Sequence, residues 1–183
     1  YNNNKIMELL NKYGCTSKSF IGLKLNNPQI MGILNITPDS FSNENKKILS
    51  KNNAVKQAIK MIEDGANIID IGGESSRPGA KRIDSIEEQK RIIPIIKELA
   101  KYNIPISCDT RNASTMELAI DAGASIINDI SALSDKKAAY VIAKNNVGLI
   151  IMHMKGQPNN MQNNPKYEIV SSIEIMKNFR TLI

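Results

Sequence analysis

Aromatic residues make up only 4% of this 183-residue sequence, and histidine occurs once. So few rings, with no nucleic-acid motif, argue against a nucleic-acid-binding protein. A lone histidine, His153, cannot supply a histidine triad for a metal, and a structural role is the plainer reading for it. Cysteine is also scarce. Cys15 and Cys108 have neither metal-ligand spacing nor a disulfide framework, so a reduced, cytoplasmic protein is the simple reading. Cys108 falls in an apolar run, where a thiol behaves as a small apolar side chain. No apolar run approaches the ~18–20 residues of a membrane span, and the N-terminus lacks a signal-peptide pattern. The sequence opens on Tyr1, from which we expect it to begin part-way along a longer product or to follow processing.

What is present is ordinary for a globular domain: 42% apolar residues, 23% charged, and enough length for one sizeable core. The net charge of +6 comes from lysines that scatter rather than cluster. It reads as a solvated surface with a local preference for an anionic ligand.

From residue 30 onward, strand and helix alternate. Ile30–Asn35 is a short apolar run, and residues 53–64 carry apolar side chains at helical spacing, ended by Gly65 in the left-handed C′ position. A second strand, "NIIDIGG", is followed by a helix opening on the capping box Ser85-x-x-Glu88 and running to about Lys101. Pro94 predicts a kink or interruption within it. "NIPISCDT" is a third strand, before a helix capped by Asn112 or Ser114. "ASIINDI" is a fourth, before a helix from about Ser134 to Asn145, and "VGLIIMHM" is a fifth. A last helix is expected from Tyr167 onward. "DGANIIDI" and "AGASIINDI" resemble each other, as a repeated βα unit would.

This alternation predicts parallel βαβ units with right-handed crossovers. Asn35, Asp70, Asp109, Asn128 and His153 then fall at or near successive strand ends. In a TIM (β/α)8 barrel those ends converge on one mouth, whereas an open doubly wound sheet uses mainly one switch point. Polar groups on consecutive strand ends favour the barrel, with about the first five βα units present in this chain. Five strands cannot close a barrel of eight, so we expect a partial chain. Before the rhythm begins, "KIMELLNKYG" predicts a short helix, and "KSFIGLKL" a strand of a hairpin plugging the barrel bottom.

Three stretches carry chemistry. "MGILNITPDSFS" ends a strand in an amide, a hydroxyl, a carboxylate and an aromatic, more than a simple turn requires. "GGESSRPGAKR" offers hydroxyls and a guanidinium suited to phosphate. It matches no Walker or dinucleotide fingerprint, and on spacing alone a flexible polar loop is the plainer reading. Asp109 and Asn128 lie side by side on neighbouring strand ends, a carboxylate and an amide that together suit a planar heterocycle rich in N–H donors and ring nitrogens. Met152 and Met154 fit a soft apolar wall, though plain core is commoner.

Taken with "IIDIGGESSRPGA", "ISCDT", "IINDI" and "IMHMKGQPNNMQ", these stretches resemble dihydropteroate synthase, the pterin-binding enzyme family of folate biosynthesis, in order and spacing over about residues 29–167. The resemblance implies a partial pterin-binding barrel domain over 29–183 behind an N-terminal extension, 1–28. It implies condensation of (7,8-dihydropterin-6-yl)methyl diphosphate with p-aminobenzoate, releasing pyrophosphate, with Mg²⁺ as cofactor and sulfonamides as inhibitors. The implied partners are these small-molecule substrates, with no nucleic acid and no membrane; a homodimer is left open.

By position, the resemblance makes Asn35 the residue that helps hold Mg²⁺. It makes Thr37, Pro38, Asp39, Ser40 and Phe41 a first loop folding over the site, with Phe41 lining the p-aminobenzoate pocket. Ser76 and Arg77 belong to a second loop that contacts diphosphate, Ser76 standing where relatives often carry Thr. Asp109 and Asn128 hydrogen-bond the pterin, and Met152 lines its pocket. Asp39, Arg77 and Asp109 are the implied catalytic residues. The family's later Asp-Pro-Gly-Phe-Gly, Ser-Arg-Lys and Arg-x-His segments do not occur in these 183 residues, so we expect this chain alone to be inactive. A folate-dependent methyltransferase, or a non-catalytic pterin-binding fragment, is the alternative.

Overall fold

The computed structural model describes residues 19–36, 51–74 and 82–152. Its elements are β1 (Ser19–Phe20), β2 (Leu23–Lys24), β3 (Met31–Asn35), α1 (Lys51–Glu63), β4 (Ile68–Gly72), α2 (Ser85–Leu99), β5 (Ile106–Asp109), α3 (Ala113–Asp121), β6 (Ile126–Asp129), α4 (Ala138–Asn145) and β7 (Gly148–Ile151). β1 and β2 form an antiparallel hairpin, and β3 to β7 form one parallel sheet. The strand order in that sheet is β3-β4-β5-β6-β7, with no reversal. A doubly wound sheet would reverse at its switch point, so the monotonic order is that of a barrel arc.

Alternation divides each strand between two faces. Leu34, Ile69, Ile71, Ile106, Cys108 and Ile127 turn toward the helices and join one core. α1 meets them through Ala54, Val55 and Ala58, small enough to bring the helix close to the sheet. α2 contributes Ile92, Ile95, Ile96 and Leu99, an i, i+3, i+4, i+7 stripe, and α3 adds Met116 and Ala119. The opposite face is the barrel interior, carrying Ile33, Asp70, Ser107 and, at the rim, Asn35, Asp109 and Asn128. β4 is buried at all five positions because it has a neighbour on each side and is covered on both faces.

Several expectations need correction at their edges. α2 is capped by Asp84, not Ser85: the Asp84 carboxylate accepts the Glu87 N–H at 2.9 Å. Glu88 does not complete a capping box, because its side chain is buried. The helix runs unbroken through Pro94 and ends at Leu99. α4 begins at Ala138 rather than near Ser134, because side-chain carboxylates hold the preceding segment as a loop. Asp129 accepts Ser131 N, Ser131 Oγ and Leu133 N at 2.7–2.8 Å, and Ala132 and Leu133 take left-handed φ of 52° and 63°. Asn112 stands at the N-cap of α3 but makes no side-chain cap bond; Asp135 Oδ2 instead accepts the Ala113 N–H at 2.9 Å.

Gly65 does end its helix with φ +106°. The β1–β2 hairpin turns through Ile21 and Gly22, both with positive φ, and lies at the start of β7. A Cβ on Gly148 would stand 2.7 Å from both Phe20 Cζ and Ile21 Cγ1, so the absent side chain is what lets the hairpin seat there. That is the N-terminal, bottom end of the strands. The helices expected before Gly14 and after Tyr167 lie outside the described residues.

Candidate active site

Parallel pairing aligns Asn35 with Gly72, Gly72 with Asp109, and Asp109 with Asn128. One ladder row thus crosses four strand ends and brings three of the expected site residues together. Gly72 is the gap in that row. A Cβ there would sit 3.3 Å from Asp109 Oδ2 and 3.5 Å from Asn35 Oδ1, so these two oxygens flank a space that only glycine leaves open.

Asp70 stands near its strand end rather than at it, two residues before Gly72. It lies in the row beneath, aligned with Ile33 and Ser107, and is 4% exposed. Asn128 Nδ2 donates to Asp70 Oδ2 at 3.1 Å. Asp70 Oδ1 and Ser107 Oγ are buried with no hydrogen-bond partner among the described residues. Burial raises the Asp70 carboxyl above the ordinary carboxylate value, an effect that Ser107 and Asn128 oppose. Ser107 acts on it by proximity across the ladder rather than through a bond of hydrogen-bond geometry.

Asp109 is pushed up to about 7, first by burial and then by the carboxylates of Asp70, Glu88, Asp129 and Glu74. The rim is therefore acidic, and a ligand with N–H donors or developing positive charge relieves that crowding. Cys108, one residue earlier, faces the core, and its thiol is raised well above its ordinary value by burial, then by Glu88, Asp109 and Asp70. It is an inert apolar filler, as its strand context predicts.

Three supporting roles escaped the sequence analysis. Glu88 Oε2 accepts from Thr110 Oγ1 at 2.9 Å, Asn112 Nδ2 at 2.9 Å and Thr115 Oγ1 at 2.7 Å, which fixes the chain just after Asp109. Arg111 pairs with Glu74, tying the segment after β5 to the segment after β4. Asp129 organises the loop after Asn128. A buried Glu among hydroxyl donors is visible only in three dimensions, though a Glu on an otherwise apolar helical stripe is its one sequence sign.

Met152 follows β7 and is 37% exposed, two residues beyond Ile150, which aligns with Asn128. Thr37, Pro38, Asp39, Ser40, Phe41, Ser76, Arg77 and His153 lie outside the described residues. Among the described residues no three His, Cys, Asp or Glu side chains are grouped to hold a metal. Asn35 offers a single hard oxygen beside the Gly72 gap. That suits Mg²⁺, which commonly takes only one or two protein ligands and completes its shell with phosphate and water. No helix among the described residues is long and apolar enough to cross a membrane.

The sequence profile of the family described as "pterin binding enzyme" matches residues 31–181, taking in all of β3 to β7. The chain belongs to that family. Dihydropteroate synthase of Neisseria meningitidis serogroup C is 45% identical over 148 residues, 80% of this chain and 52% of the relative. The dihydropteroate synthase of Yersinia pestis, solved with a sulfonamide drug complex, superposes with a TM-score of 0.77 at 39% identity, covering 90% of this chain and 60% of that one. The Burkholderia cenocepacia enzyme, solved with 7,8-dihydropteroate, gives 0.73 at 37% identity, covering 87% and 53%. The chain spans about half the length of the curated relatives it matches. Its sheet is accordingly a five-stranded part of the TIM barrel, with the site row on the rim where such barrels build their active sites.

Proposed function

We propose that the natural polypeptide bearing this sequence is a dihydropteroate synthase, joining (7,8-dihydropterin-6-yl)methyl diphosphate to p-aminobenzoate in the cytoplasm. The observation that carries the reading is the Asn35–Gly72–Asp109–Asn128 row, which combines a metal-suited oxygen, an open gap and a heterocycle-binding pair within the span that matches the family. Asp109 and Asn128 bind the pterin edge, the first accepting N–H donors and the second presenting its amide.

The carbon–oxygen bond at the pterin methylene breaks, its electron pair leaving on pyrophosphate. The aminobenzoate nitrogen forms the new bond to that carbon and then loses a proton. Positive charge builds on the pterin, beside the acidic rim around Asp109, where fixed carboxylates stabilise it. Arg77 and Ser76 grip the diphosphate and favour its departure. Thr37 to Phe41 cover the site, excluding the water that would otherwise capture the carbon, while Phe41 and Met152 line the substrates. Asn35 would hold Mg²⁺, which supplies charge neutralisation on the leaving pyrophosphate when bound.

The test is formation of 7,8-dihydropteroate by the purified natural polypeptide, with and without Mg²⁺. Metal-dependent product is the expected result; pterin binding with no product under any condition overturns the synthase reading in favour of a binding module. Arg77→Ala should cut turnover about a hundredfold or more while pterin affinity changes little. Equal loss of both would remove Arg77 from the diphosphate.

A further inference from the structure

Asn128 and Asp70 differ in how they meet the site. Asn128 is on the rim row, which the proposed function gives to the ligand; Asp70 is one layer down, 4% exposed, and touches Asn128 through the 3.1 Å bond from Nδ2 to Oδ2. An asparagine amide has two faces of opposite character, and in isolation neither is preferred. With Asp70 Oδ2 beneath it as the acceptor, the NH₂ side faces down. The carbonyl oxygen then faces the ligand.

We infer that Asp70 is a positioning residue that locks the Asn128 amide so that the pocket presents an acceptor, Asn128 Oδ1, to an N–H-bearing edge of the bound heterocycle. The inference rests on the pterin-binding reading and deepens it. It explains why an acidic residue occupies the barrel interior, where a buried carboxylate is costly unless it orders something. It also explains the division of labour between two carboxylates on adjacent strands: Asp109 meets the ligand directly, Asp70 only through Asn128. The bond crosses from β4 to β6, past β5, so it joins the second and fourth strands of the arc inside the barrel.

The experiment is a double-mutant cycle in the natural polypeptide, with pteroic acid as the probe and equilibrium binding as the readout. Asp70→Asn gives the amide a partner that both donates and accepts, so the orientation is no longer imposed. It should weaken pteroic acid binding about tenfold. In an Asn128→Ala background the same change should cost less than about twofold, because nothing remains to be oriented. Losses that add in full overturn the inference, since Asp70 would then act on the ligand or the fold independently of Asn128; so does an unweakened Asp70→Asn.

Should Asp70→Asn fail to fold, the exchanged pair Asp70→Asn with Asn128→Asp keeps one donor and one acceptor in the same place and still turns an oxygen outward. It should bind within about tenfold of wild type, whereas binding as weak as in Asn128→Ala overturns the inference. A wild-type protein that does not bind pteroic acid at all overturns the pterin reading, and this inference with it. Binding by wild type with additive losses overturns the inference alone.

Discussion

Asp109 is asked to do two things that oppose each other. Its carboxyl titrates near 7 in the folded chain against an ordinary 3.8, so between those values the folded state holds a proton that the unfolded chain has released. The stability this confers is fully present below about pH 4, declines as the pH rises, and is lost above about 7. Asp109→Asn removes the dependence, and the variant should be more stable than wild type at pH 8 by up to a few kcal/mol and no more stable at pH 4. Urea unfolding at the two pH values checks this. The same variant should bind pterin at least about tenfold more weakly, because the acceptor is halved. Gly72→Ala makes the complementary case: its methyl fits against Asp109 and Asn35 at 3.3–3.5 Å, so thermal unfolding should show a change of only about 1 kcal/mol. Under the proposed function turnover should nevertheless fall about tenfold or more, because the methyl fills the gap between the two oxygens.

α2 shows at the level of an element what a sequence discloses and what it withholds. Its apolar stripe is written in the order of residues, and so are its approximate bounds. Its start was misread by one position, because Asp84 and Ser85 are both good caps and only the bond to Glu87 N decides between them. Glu88 differs in kind from the expected half of a capping box: it faces inward to three donors that arrive from beyond β5. Asp84→Ala should therefore cost about 1 kcal/mol, and Glu88→Ala roughly 3 kcal/mol or more, because two buried hydroxyls and a half-buried amide lose their acceptor together. Chemical denaturation separates the two. The rim row was legible for a different reason, since Asn35, Asp109 and Asn128 each end an apolar run and parallel pairing of equal units brings such ends level. Asp70, expected at or near its strand end, stands two residues short of it and so a layer lower, because the length of a strand beyond a polar residue is poorly marked. Residues 134–137 form loop where helix is expected, since nothing local announces that Asp129 and Asp135 hold the segment open.

For the molecule as a whole, the arc leaves its interior face uneven. Ile126, near the hairpin, is fully buried, whereas Ile33 on the edge strand β3 is 61% exposed although it points into the barrel. The isolated 183-residue chain should bind an apolar fluorescent dye strongly and sediment as more than a monomer. A natural polypeptide with a closed barrel should not bind the dye, and a dye-silent chain would show that Ile33 is covered by other means. The monotonic strand order has a consequence in time as well as in space. Among the described residues every strand of the sheet pairs only with the strands made just before and just after it, so no pairing within the arc waits on a distant segment still inside the ribosome. The arc can be laid down in the order of synthesis, one βα unit after another, with the Asn35–Asp109–Asn128 row completed once β6 docks.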